Sequence, residues 1–169
     1  FVLLNAIKKL QKNNKNIFLD IVGDGIEYEN LVTYSKELEI ENMVKFHGLI
    51  KDKKELLNIY RNSDIFVFPS AYPEGFPRVL YEAMLASLAI VTTTVGSIST
   101  LMRDEYNCLY VNKNDSLGLA KCIDRLISDY NLRKEISTNS NVTILEYLEK
   151  FSEPHSLQFI REVSRGEGL

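Results

Sequence analysis

An α/β fold built on a doubly wound parallel sheet is what this sequence predicts, on three observations. Short apolar runs alternate with amphipathic segments of helical length, the pattern of repeated strand–helix–strand units. The runs are apolar at nearly every position rather than at every second one, as in strands buried on both faces. They close on glycine or proline, at Gly23, Pro69 and Gly96. With 169 residues the chain has the length of a single domain, 1–169, able to bury roughly 68–70% of its unfolded surface. No repeat, low-complexity tract or Pro/Gly linker divides it.

Val2, Leu3, Ala6, Ile7 and Leu10 recur at helical spacing and predict a first helix over 1–14. IFLDIVG (17–23) is the first strand, followed by a helix over 27–39. VKFHGLI (44–50) is the second strand and KDKKELLNIYRNS (51–63) a helix. DIFVFPS (64–70) is the third strand, its Pro69 marking the exit. RVLYEAMLAS (78–87) reads as a helix, AIVTTTV (89–95) as a strand, SISTLMR (97–103) as a short helix and NCLYV (107–111) as a brief strand. A helix follows over 115–128, and from Asn131 to Arg165 a sustained helical period predicts two or three helices capping the sheet.

The net charge of −3, with Lys and Arg scattered along the chain, argues against a nucleic-acid partner. No apolar run approaches the roughly 18 residues that span a bilayer and no charged-then-apolar leader opens the chain, so it reads as soluble. Cys108 and Cys122 are too few for a disulfide framework or a zinc site and read as buried thiols in a reducing compartment. The chain opens at Phe1 inside an amphipathic pattern, which leads to the expectation of a fragment.

Ligands of such sheets sit outside the carboxyl ends of the strands, which directs attention to the loops at 23–26, 48–52, 69–77 and 95–97. In the first, Gly23 and Gly25 follow a strand, but Tyr28 stands where a dinucleotide fingerprint needs its third glycine. Either these glycines serve a tight turn or they approach a ligand, and Asp24 is a candidate cap for the next helix. The third loop carries more. In PSAYPEGFPRVLYE (69–82), Pro69, Pro73, Gly75 and Pro77 stiffen a turn that feeds a helix, with Pro77 suited to the first helical position. Free N–H groups and the positive end of the helix dipole make an anion site there, and Gly75 permits close approach of a phosphate. Glu74 and Glu82 flank it. Glu82 lies about five residues into the helix, roughly 7–8 Å along its axis, on a face with Val79, Ala83 and Ala86. It either grips a sugar diol or pairs with Arg78 at i,i+4, a contact worth about 0.2–0.5 kcal/mol.

The E-x7-E block of Glu74 and Glu82, in EGFPRVLYEAM after DIFVFPS and before AIVTTTVGSISTLM, resembles the donor-binding half of retaining GT-B glycosyltransferases of the "group 1" family, whose fold is Rossmann-like. IVGDG, VKFHGLI and the NCLYV stretch are similar in the same order, and the likeness covers about residues 1–130. It implies that Glu74, the catalytic candidate, holds hydroxyls of the donor sugar. It implies main-chain contacts to sugar and diphosphate at Gly75, Phe76 and Pro77, and a grip on the nucleotide ribose by Glu82. Pro77 has no N–H, so Arg78 and Val79 supply the remaining donors. Gly48, Leu49 and Ile50 resemble the segment that contacts the base, and Gly23 and Gly96 resemble glycines facing the cleft. His47 reads as structural. The family pattern begins with one further strand and a loop bearing an Arg and a Lys, both upstream of Phe1, and places an acceptor-binding domain before that.

The implied reaction moves a sugar from a nucleotide-diphosphate donor to an acceptor hydroxyl with retention. It needs neither a bound metal nor a cofactor, the nucleotide sugar being a substrate. The acceptor, whether glycan, lipid or small molecule, would come through the upstream domain, and the isolated fragment is expected to be inactive. A cytoplasmic protein, with room for peripheral association of the parent at the inner membrane face, is the matching expectation. The alternatives are a non-catalytic nucleotide-binding module or an interaction domain on the same fold.

Overall fold

A computed structural model describes residues 1–11, 17–73 and 75–150. Its elements run α1 (Val2–Gln11), β1 (Leu19–Val22), α2 (Tyr28–Glu37), a 3-10 turn (Glu41–Met43), β2 (Val44–Gly48), α3 (Lys53–Arg61), β3 (Ile65–Phe68), α4 (Arg78–Leu85), β4 (Ala89–Thr92), a second 3-10 turn (Ile98–Thr100), β5 (Leu109–Tyr110), α5 (Ser116–Ser128) and α6 (Tyr130–Lys150). Every strand pairing is parallel: β1 with β2, β3 with β4, and β4 with β5. Among the described residues β1 and β3 are each paired along one edge only, so the strands form two ladders, β1-β2 and β3-β4-β5.

Helices cover both faces. Ala89 and Val91 of β4 join one core with Leu4 and Ile7 of α1 and Leu119 and Ile123 of α5. Ile90, pointing the other way from the same strand, joins a second core with Leu57 of α3, Leu80 and Met84 of α4, and Ile144 of α6. Successive residues of β4 thus enter opposite cores, and the strand is buried throughout. That is why its sequence carries no polar alternation. The first core also takes Leu19 and Ile21 from β1, Phe46 from β2, and Ile65 and Val67 from β3, so one apolar layer runs beneath both ladders.

Two expectations are corrected. The segment at 97–103 forms a single 3-10 turn, held by Thr100 Oγ1 donating to the Ser97 carbonyl at 2.6 Å. The fourth strand ends at Thr92, where its pairing with both β3 and β5 ends. Over the described part of the C-terminal region one 21-residue helix runs through Lys150; the rest of the stretch expected to hold two or three helices, like residues 12–16, lies outside the described residues. Asp129 both ends α5 and starts α6, its carboxylate accepting from the Leu132 N–H at 3.0 Å. Asn141 then docks α6 on the end of α4, donating to the carbonyls of Met84 and Leu85 at 3.2 Å each.

α4 itself stops at a Schellman motif. The Leu88 N–H reaches the Ala83 carbonyl and the Ser87 N–H that of Met84, at 3.1 Å each. Ser87 takes the left-handed conformation there, φ +56°, where glycine is the usual occupant.

Candidate functional site

The site residues form two groups, one on each ladder. At the ends of β1 and β2 the Gly23 N–H donates to the Gly48 carbonyl at 2.8 Å. Gly23 sits at φ +136° and Gly48 at φ +64°, regions that side chains rarely enter, so both positions favour glycine. The two expected ligand-edge loops are therefore clasped together. Leu49 and Ile26 stand exposed beside the clasp and Ile50 is half-buried.

A register shift between Ile21 and Val22 leaves His47 as the extra residue of β2. Its Nε2 lies 2.6 Å from Oδ1 of Asp20 on the neighbouring strand. The sequence reading of His47 as structural did not foresee this carboxylate partner, 27 residues away along the chain.

The second group follows β3. Thr92 Oγ1 donates to the Phe68 carbonyl at 2.9 Å and Thr93 Oγ1 to the Ser70 carbonyl at 2.7 Å. Two buried hydroxyls, on the last residue of β4 and the residue after it, thus hold the beginning of the loop that leaves β3. At the loop's other end, the Phe76 ring packs on Tyr81 with centroids 4.5 Å apart, and Tyr81 stacks on Tyr147 of α6 at 5.9 Å. Phe76 therefore anchors its own main chain by packing into the domain. Gly75 is exposed, with open space where a Cβ would stand. Glu74 lies outside the described residues.

Pro77 proves to be the N-cap of α4 rather than its first helical residue. Its ψ of 131° is extended, it is buried, and the helix starts at Arg78. Pro77 makes no side-chain cap hydrogen bond. The N–H groups of Arg78 and Val79 precede any residue that could accept them within the helix, so they and the positive end of the dipole face the loop.

Glu82 lies one turn further in and is 9% exposed. The Tyr60 hydroxyl of α3 donates to its Oε2 at 3.0 Å, while Oε1 lies 3.9 Å from Nε of Arg78. The i,i+4 pair with Arg78 is thus present but long, and the Arg78 side chain is 75% exposed, which leaves the cation little hold on the carboxylate. The principal partner is a neutral hydroxyl. Burial pushes the Glu82 carboxyl above its ordinary range, against the Tyr60 hydrogen bond and then the Arg78 charge, which both pull it down. Burial, followed by the charge of Glu82, raises the Tyr60 phenol and keeps it the donor. The expected apolar face is corrected in part: Ala83 is fully buried but Val79 is 36% exposed, so the enclosure of Glu82 comes chiefly from α3.

Tyr60, Thr92, Thr93 and Asp20 were not singled out from sequence. Tyr60 had a signal: it shares with Leu57 the buried face of an amphipathic helix, and a buried tyrosine hydroxyl needs a partner. Both cysteines carry free thiols; Cys108 is buried and pushed up to about 12, by burial first and then the charge of Asp104. Among the described residues no three His, Cys, Asp or Glu side chains gather as a metal site would require. No described helix is long and apolar enough to cross a membrane.

With this geometry in view, the profile of the family described as "Glycosyl transferases group 1" matches residues 1–142. The chain belongs to that family. It is 33% identical over 141 residues to the capsular polysaccharide biosynthesis glycosyltransferase CapM of Staphylococcus aureus, covering 81% of this chain and 35% of CapM. An uncharacterized glycosyltransferase of Methanocaldococcus jannaschii is 29% identical over 145 residues, 85% of this chain and 36% of the relative. The chain therefore spans little more than a third of these relatives' length. Among solved structures, the C-terminal domain of the group 1 glycosyl transferase LpcC from Francisella tularensis superimposes with a TM-score of 0.77 at 26% identity, covering 86% of this chain and 76% of that one. Anabaena HepE, solved with UDP, shares the fold with a TM-score of 0.77 at 24% identity, covering 98% of this chain and 43% of that one. The fold is that of the C-terminal half of a GT-B glycosyltransferase.

Proposed function

We propose that this chain is the donor-binding half of a retaining, metal-independent glycosyltransferase that moves a sugar from a nucleotide diphosphate to an acceptor hydroxyl. The observation that carries the reading is Glu82, a carboxylate buried one turn inside a helix that starts from the loop at Pro77, and held by a hydroxyl where a cation would neutralise it. A buried ionised carboxylate needs polar partners. Tyr60 supplies one, and the remaining lone pairs suit the two hydroxyls of a ribose.

The main-chain donors at Arg78 and Val79, behind the open approach at Gly75, would take the diphosphate, whose negative charge grows as the glycosidic bond breaks. Glu74 would hold sugar hydroxyls and orient the ring. Leu49 and Ile50, with Gly23 and Gly48 shaping the clasp beside them, would receive the base. The basic loop that further neutralises the leaving group, and the acceptor domain, would belong to the longer parent protein. CapM acts in capsular polysaccharide biosynthesis, which supports a growing glycan or glycolipid as acceptor at the cytoplasmic side of a membrane.

The test is calorimetric titration of UDP, GDP and ADP into the full-length protein and its Glu82→Gln variant. Loss of a charged acceptor for hydroxyls is expected to weaken the preferred nucleotide about tenfold or more. The variant's melting temperature without ligand should not fall. Unchanged affinity would return Glu82 to a purely structural role.

A further inference from the structure

We infer that Tyr60 is the positioning residue for nucleotide binding: its hydroxyl, donated from the core to Oε2 of Glu82, fixes that carboxylate and turns its Oε1 toward an incoming vicinal diol. The inference rests on the reading of Glu82 as a ribose ligand. A glutamate has three side-chain torsions, and a free one samples many orientations, of which few present an oxygen correctly to two adjacent hydroxyls. Tyr60 removes that freedom from one side. It is only 6% exposed, comes from α3 rather than from the helix that carries Glu82, and packs its ring near Phe66 with centroids 6.1 Å apart. A donor so held has one place to put its hydroxyl.

Arg78 does not do this work. At 3.9 Å to Oε1, with its side chain largely in solvent, it exerts a weak pull on the oxygen that must be free for the ligand. The two oxygens are held unequally, as a clamp requires: Oε2 by the Tyr60 hydroxyl, Oε1 only by the distant, solvent-exposed Arg78. Because a tyrosine hydroxyl is neutral, it orients the carboxylate and leaves its charge in place for the sugar.

The test compares UDP with 2′,3′-dideoxy-UDP in calorimetric titrations of the full-length protein and its Tyr60→Phe, Glu82→Gln and doubly substituted variants. Tyr60→Phe keeps the ring and its packing. It is expected to weaken UDP about five- to tenfold, through the orientational freedom the Glu82 side chain regains. Binding of the dideoxy nucleotide, which has no diol, should be unchanged. Glu82→Gln should show the same diol-dependent loss, and the double variant should match Glu82→Gln alone. Equal weakening of both nucleotides by Tyr60→Phe, or no weakening of either, would overturn the proposal while the Glu82 reading stood. A Glu82→Gln variant with full diol preference would remove that reading and this proposal with it, as would an unmodified protein that does not bind UDP. If Tyr60→Phe alone does not fold, the double variant decides: it leaves no buried charge without a donor, and any loss beyond that of Glu82→Gln refutes the idea.

Discussion

Thr93→Val asks whether the loop that leads to α4 is held from β4. The substitution keeps the shape of a side chain that is 1% exposed and deletes only its hydroxyl, which donates to the Ser70 carbonyl at 2.7 Å. A net hydrogen bond contributes about 0.5–1.5 kcal/mol, and a buried carbonyl left without its donor costs about 1–3 kcal/mol. Replacing a hydroxyl with a methyl in an apolar layer offsets part of this, so the expected loss is about 1–2 kcal/mol. For a domain of this length that is a fall in melting temperature of about 2–8 °C. The functional consequence should exceed the thermal one, because Ser70 lies between β3 and the loop that feeds the helix amino end. In the full-length protein, nucleotide affinity should drop more than in an equally destabilised control such as Ile144→Val, whose side chain is buried in the core beneath α6. Calorimetry on both variants, matched by differential scanning, provides the comparison. A Thr93→Val protein that melts as the unmodified one does, or that loses no more affinity than the control, would refute the claim that this hydroxyl holds the site loop.

Glu82 should make stability fall as pH rises. Its carboxyl is raised above its unfolded value by burial, so between the two values the folded state binds more protons than the unfolded one and loses stability on deprotonation. Glu82→Gln should therefore raise the urea midpoint at pH 8 relative to the unmodified protein, with the gain shrinking toward pH 4; a gain independent of pH would contradict this. Ser87→Gly, placing glycine at the left-handed cap of α4, should stabilise by about 0.5–1 kcal/mol in urea melts. No gain would mean that Ser87 is not strained. Asn107→Leu should cost about 3 kcal/mol or more. Its buried amide accepts from the Arg103 N–H at 2.7 Å and donates to the Leu101 carbonyl at 2.9 Å and to Thr143 Oγ1 at 3.1 Å. A well-folded variant with an unchanged denaturation midpoint would show that the network is dispensable.

The strands were legible because a segment buried on both faces carries its signature locally, as β4 does in consecutive apolar residues. The turn that feeds α4 was legible for the same reason, since proline and glycine act on their own backbone. Position was harder to read than type. Pro77 was expected inside the helix and caps it instead, because proline fixes φ and leaves ψ free. The partners of Glu82 and His47 were not legible. Tyr60 lies 22 residues from Glu82 and Asp20 lies 27 from His47, so each pair exists only after the strands and crossovers have assembled. The packing of α6 was hard to read because its apolar residues do not mark a clean stripe, with Ser140 buried and Val142 and Leu145 exposed.

α4 carries the positive end of its dipole at Arg78 and, four residues along, a buried acid. The two lie about 6 Å apart along the axis. A molecule with one anionic end and one hydroxyl-bearing end meets attraction in a single direction. Entered in reverse it would press its phosphates against a carboxylate and present alcohols to amides. The helix would thus act as a polarised socket, choosing the orientation of its guest before any contact with the transferred group is made.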